Sequence, residues 1–147
     1  MNRLLPSLVL ALISLGWQYP PEYQPKPPNG APQPPKTLTG SFVCALRPVG
    51  NIRTSRPFEF TPMAVPESGP RAVLRFLLKP DGTWADITSP ERPVGGKMIY
   101  KNGVASLATG NGTVLRSFAW GRDARGTEYL VEETAGGLRG HVCRKIR

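Results

Sequence analysis

Residues 72–88 read AVLRFLLKPDGTWADIT. Ala72, Leu74, Phe76 and Leu78 recur at every second position, with Arg75 and Lys79 on the opposite parity. That is the period of a strand with one face in a core and the other in water. Pro80-Asp81-Gly82 follows as a tight turn, because Gly readily takes the positive φ such turns demand. Thr83 to Thr88 then turns back as a second strand, so the stretch is a β-hairpin.

The same punctuation recurs on both sides of it. Strand-like segments are expected at Ser41 to Arg47, Pro57 to Ala64, Ala72 to Lys79, Thr83 to Thr88, Lys97 to Tyr100, Val104 to Thr109, Thr113 to Trp120, Thr127 to Thr134 and Leu138 to Lys145. Lys101-Asn102-Gly103, Gly110-Asn111-Gly112, Gly121 to Gly126 and Ala135-Gly136-Gly137 are the turn segments between the later ones. Phe58 and Phe60 alternate with Glu59 and Thr61, as a half-buried strand requires. In Thr113 to Trp120 the parity of Val114, Phe118 and Trp120 includes Arg116, a conflict that a bulge would resolve. No run of helical period and length interrupts the series. The fold class is all-β, and the short connections predict an antiparallel up-and-down meander of about eight strands.

The N-terminal region has a different character. Met1-Asn2-Arg3 is positively charged, Leu4 to Leu15 is apolar, and Ser14-Leu15-Gly16 places small residues just before Trp17. This is the layout of a signal peptide over residues 1–16. The run is too short to cross a bilayer comfortably, and no Cys follows it to take a lipid, so the expected location is secreted or periplasmic with no transmembrane span in the mature chain. From Pro20 to Lys36, eight of seventeen residues are Pro. Residues 17–36 therefore read as a Pro-rich linker of extended polyproline geometry. Of 147 residues, those from 37 to 147 remain for one β domain.

The chain has two Cys, Cys44 in the first segment of that domain and Cys143 in the last, 99 positions apart. In an oxidising compartment they are expected to pair. A disulfide requires Cα atoms within about 7 Å, so the first and last strands become neighbours. A meander whose ends meet is a closed barrel without exposed edges. The alternative is a β-sandwich pinned across its two layers.

The same scarcity restricts chemistry. Cys44 and Cys143 in a disulfide leave no thiol nucleophile. With the single His, His141, they would offer zinc only three ligands and would compete with the bridge. Glu132 and Glu133 point to opposite faces of a strand, and Glu128 and Glu132 lie about 13 Å apart on one face, beyond the ~5–9.5 Å of paired-carboxylate glycoside cleavage. Asp81 and Asp123 sit in turns, where Asp serves the backbone. No glycine-rich segment joins a strand to a helix as a phosphate loop does. A non-enzymatic domain with no metal and no cofactor is expected.

Gly40-Ser41-Phe42-Val43-Cys44, the Asp81-Gly82-Thr83-Trp84 hairpin, the Gly96 and Gly103 hairpins and Cys143-Arg144 together resemble small secreted bacterial barrels of the lipocalin-like, calycin type. The resemblance covers most of residues 37–147. A second resemblance is to periplasmic inhibitors of c-type lysozyme, from whose pattern the chain departs by lacking a Ser-Gly-x-Arg/Lys-Tyr segment.

An eight-stranded barrel is either filled by side chains or just wide enough for one small ligand. In the second case Phe76, Trp84, Tyr100, Trp120 and Tyr129 are the candidate lining, with Trp84 and Trp120 nearest the mouths. Charge points to other partners. Setting aside Arg3, Lys26, Lys36 and Glu22, the domain carries 16 Lys plus Arg against 9 Asp plus Glu, which favours anionic partners. Base-stacking motifs are not evident, so nucleic acid is disfavoured. The leading expectation is a monomeric exported module that binds a small apolar ligand or a cell-envelope component such as an anionic polymer. The alternative is a protein-interaction or inhibitor domain that presents Arg53, Arg56, Arg122 and Arg125 to an acidic partner.

Overall fold

A computed structural model describes residues 31–89, 91, 94–134 and 139–147. The expected signal peptide, most of the linker and the turn at Ala135-Gly136-Gly137 lie outside the described residues. Eight strands follow one another: β1 Gly40–Leu46, β2 Leu74–Leu78, β3 Thr83–Asp86, β4 Val94–Lys101, β5 Val104–Ala108, β6 Val114–Arg122, β7 Glu128–Glu132 and β8 His141–Lys145. Each pairs antiparallel with its neighbour in sequence, and β1 pairs with β8, closing a barrel. Among the described residues there is no helix.

Turn chemistry explains the meander. Asn102 (φ 52°) and Gly103 (φ 76°) form the two-residue link from β4 to β5. Paired positive φ values there match the right-handed twist of the strands. The links β2–β3, β5–β6 and β6–β7 share another pattern, with Lys79 N to Thr83 O at 2.9 Å, Thr109 N to Thr113 O at 2.8 Å and Asp123 N to Thr127 O at 3.1 Å. Gly82, Gly112 and Gly126 hold the left-handed position in these loops, which a β-carbon would strain. The β5–β6 register shifts between Leu107 and Ala108, which is the irregularity that the mixed parity of β6 calls for.

Cys44 faces Cys143 directly across the β1–β8 seam, their Cα atoms 3.9 Å apart, and the two are disulfide-bonded. Strand parity places the bridge inside the barrel with Phe42, Phe76, Leu78, Phe118, Trp120 and Leu130, all but sealed from solvent. Phe76 lies 5.4 Å from both Phe42 and Phe118, centroid to centroid, within the range of favourable aromatic pairing. Leu38 seals one end of this core, and the Tyr100 hydroxyl donates to the Pro35 carbonyl at 2.7 Å beside it. Burial and Glu128 together raise the pKa of that phenol.

The ninth expected strand, Pro57 to Ala64, does not form. β1 and β2 are joined instead by a connection over residues 47–73 that packs on the barrel but forms no ladder with it beyond the isolated Glu59–Arg122 bridge. Phe58 takes a positive φ of 57°, which breaks the alternation assumed for Phe58 and Phe60. Phe58 packs against the interior cluster, 6.1 Å from Trp120, whereas Phe60 enters a second cluster on the outer side of β1, β7 and β8. The outer cluster includes Val43, Val131, Val142 and Tyr129 from the barrel and Ile52 and Val65 from the connection. One sheet is thus apolar on both faces where the connection covers it.

Two glycines seat the phenylalanines. A β-carbon on Gly103 would lie 2.6 Å from the Phe58 ring, and one on Gly121 would be driven into the Phe60 ring. Gly121→Ala is therefore expected to destabilise by about 1–3 kcal/mol through overpacking, read from the urea midpoint. Phe60→Leu in the same background should recover part of the loss. A neutral Gly121→Ala would contradict this seating.

Candidate functional site

The two ends of the barrel differ. At one end the strands terminate in Leu78, Lys101, Arg122 and Lys145, and the connection descends on them. Arg122 N donates to Phe58 O at 2.9 Å and Phe60 N donates to Arg122 O at 3.0 Å, forming a parallel bridge centred on Glu59. This places Arg122 and the Arg125 turn beside the Arg53 to Arg56 limb. All four arginines named from sequence are exposed, and the Arg53–Phe60 and Glu59–Arg122 bridges set the Arg53 to Arg56 limb and the Arg122 to Arg125 turn on adjoining backbone, from segments that are some seventy positions apart. Arg53 pairs with Glu133, and Arg56 lies 3.6 Å from Glu59. No ion pair engages the side chains of Arg122 and Arg125 among the described residues.

The rim stands on a rigid base. Asp123, nearly buried, accepts from the backbone N–H of Arg125 at 2.9 Å and of Thr127 at 3.0 Å, and from the Tyr129 hydroxyl at 2.9 Å. Tyr129 also accepts from Met63 N at 3.2 Å, tying the connection to the hairpin. Burial raises the pKa of its phenol, the Met63 backbone opposing and Asp123 reinforcing the rise. A groove of about 430 Å³ runs along the rim past Arg53, Arg56, Phe58 and Val104. The Trp120 indole N–H reaches this region buried and without an acceptor among the described residues.

At the opposite end the strands terminate in Leu74, Asp86, Val94, Val114, Glu132 and His141, with Arg116 two positions into β6. Arg116 Nη1 donates to Glu132 Oε1 at 3.2 Å. Glu132 Oε2 accepts from the His141 backbone N–H at 2.8 Å and lies 2.7 Å from His141 Nδ1. Burial works to raise the Glu132 pKa, but the side-chain and backbone hydrogen bonds from His141 and the charge of Arg116 outweigh it and hold the carboxyl below its usual value. A carboxyl with a depressed folded pKa adds stability above its unfolded value and loses it as pH falls through the folded one. The stability advantage of the native chain over Glu132→Gln should therefore be full above about pH 4.5 and shrink below it. Parallel urea titrations check this, and an advantage that grows on acidification would refute it.

Of the aromatic residues named from sequence, Phe76 and Trp84 line a cavity at this second mouth. Trp120 is instead sealed in the interior, Tyr129 faces outward into the second cluster, and Tyr100 packs against the interior at the closed end. Trp84 crosses Gly96, its register partner, to donate its indole N–H to Ala108 O at 2.8 Å. Sequence reading passed over Asp86, Arg116, Glu132 and His141 as a group. Their signal was parity, since Arg116 shares the phase of Phe118, Glu132 that of Leu130, and His141 that of Cys143.

Among the described residues no group of three or more His, Cys, Asp or Glu side chains is placed to hold a metal ion. A disulfide-bonded Cys pair fits an extracellular location. No family model matches this chain, and no curated protein and no solved structure matches it either.

Proposed function

We propose that the domain is an exported, non-enzymatic interaction module whose arginine rim docks on an acidic partner protein, in the manner of an inhibitor. An eight-stranded barrel hosts many functions, so the reading rests on the surface and not on the fold. The observation that carries it is that the limb bearing Arg53 and Arg56 and the turn bearing Arg122 and Arg125 are joined backbone to backbone, with all four side chains exposed. Arg122 and Arg125 are without ion pairs among the described residues, and the groove lined by Arg53 and Arg56 adds Phe58 as an apolar contact. Rigid loops bind with less entropic loss than mobile ones. The filled interior supports this reading over one in which a large apolar ligand occupies the barrel.

Immobilised polyglutamate is a suitable first probe. Arg56→Glu with Arg122→Glu should weaken retention by about tenfold at moderate salt, because charge complementarity governs encounter and specificity. Arg47→Glu with Arg71→Glu changes net charge equally but beside Leu46, at the opposite end of the barrel. If both pairs weaken retention alike, net charge explains the binding and the rim reading fails.

A further inference from the structure

The mouth opposite the arginine rim holds a cavity of about 140 Å³. Its floor is apolar, built from Phe76, Trp84 and Leu107, and its lip carries Val94 and Leu115, each about half exposed. Among the described residues Asp86 and Arg116 are its only charged linings. The pairing register accounts for this arrangement. Asp86 is opposite Phe76 on one side and Val94 on the other, while Arg116 is opposite Leu107, so the two charges stand on β3 and β6 with two strands between them.

Each charge is partly spoken for and partly free. Asp86 Oδ1 accepts the Thr88 N–H at 2.8 Å, and the carboxylate has no ion pair among the described residues. Arg116 engages Glu132 and approaches His141 through Nη1 alone, which leaves the rest of its five-donor fork uncommitted. Glu132 and His141 lie outside the cavity lining and act as positioning residues that hold the guanidinium in place.

We infer that this mouth binds a free apolar α-amino acid. Its side chain would enter the apolar floor, its ammonium would meet Asp86 and its carboxylate would meet Arg116. An engineered apolar cavity of about 150 Å³ admits benzene, so side chains from valine to phenylalanine are of suitable size. The opposed charges also reject half-ligands. A simple carboxylate faces Asp86 without a compensating cation, and a simple amine faces Arg116 without a compensating anion. Ligand and lip side chains would cover each other, removing the exposed aliphatic surface of Val94 and Leu115 from water.

The test uses the full, disulfide-bonded chain and the Trp84 indole N–H resonance, which reports from the cavity wall. Leucine should shift it saturably, with 4-methylpentanoate and 3-methylbutylamine at least tenfold weaker. Asp86→Asn, nearly isosteric, and Arg116→Gln should each cut leucine affinity tenfold or more, and Leu107→Phe should abolish binding by filling the floor. The inference is overturned if leucine, valine and phenylalanine all leave the resonance unmoved. It is also overturned if either half-ligand binds as well as leucine, or if Asp86→Asn binds leucine undiminished. The rim variants Arg56→Glu and Arg122→Glu should bind leucine normally, so this inference and the rim reading fail independently.

Discussion

Replacing Cys44 and Cys143 together by Ala should lower the free energy of unfolding by roughly 4–5 kcal/mol, the loop-closure value for a bridge spanning about a hundred residues. The bridge joins residues separated by 99 positions, so the unfolded chain loses more freedom to it than to any local link. Both sulfurs are buried in the interior cluster. The Ala pair therefore also leaves space behind, whereas reduction alone should show the loop-closure part of the loss. Domains of this size are stable by about 5–15 kcal/mol in total, which puts the double variant near the threshold of folding. Urea titrations with and without reductant measure it. An unchanged midpoint would mean that the five register pairs between β1 and β8 close the barrel unaided.

Phe118→Ala should cost about 3–5 kcal/mol, the range for truncating a buried aromatic side chain. Phe118 is fully buried and lies in ring contact with Phe76, which stacks in turn on Phe42. These rings fill the centre of the barrel, and the surrounding strands are held by hydrogen bonds on both sides, so the void cannot readily collapse. The variant should also take up benzene, as dry engineered cavities do, which the native chain should do only at its mouth. Chemical denaturation gives the first quantity and benzene-induced shifts in the spectrum give the second. A loss below about 1 kcal/mol would contradict a filled interior, since a close-packed core feels even one methylene.

Legibility followed the range of the interaction. The 72–88 hairpin was readable because period and turn chemistry are local: Leu74, Phe76 and Leu78 do face inward, and Gly82 does take a positive φ. Pro57 to Ala64 was misread because its alternation is real but does not decide its conformation. Phe58 and Phe60 diverge toward Gly103 and Gly121, glycines in the β4–β5 turn and on β6 that leave room for a ring. The basic residues of the rim could be named from sequence, but not their meeting, which depends on the Glu59 to Arg122 bridge. Arg116 could be seen to conflict with its strand's apolar parity. Its resolution by Glu132 and His141 could not be seen, because both reach it across the barrel register.

By itself the sequence determined the strand period, the turns that make consecutive strands antiparallel, and the covalent seam that brings the first to the last. Backbone dihedrals and side-chain parity are set by neighbours a few residues away, so these features are written locally. Tertiary structure alone decided that residues 47–73 cover one outer face, that one mouth is sealed by Leu38 while the other keeps its cavity, and which charges share a rim. Those outcomes depend on which side chains from distant strands come within packing distance, and that is fixed only once the barrel has closed and its register is set.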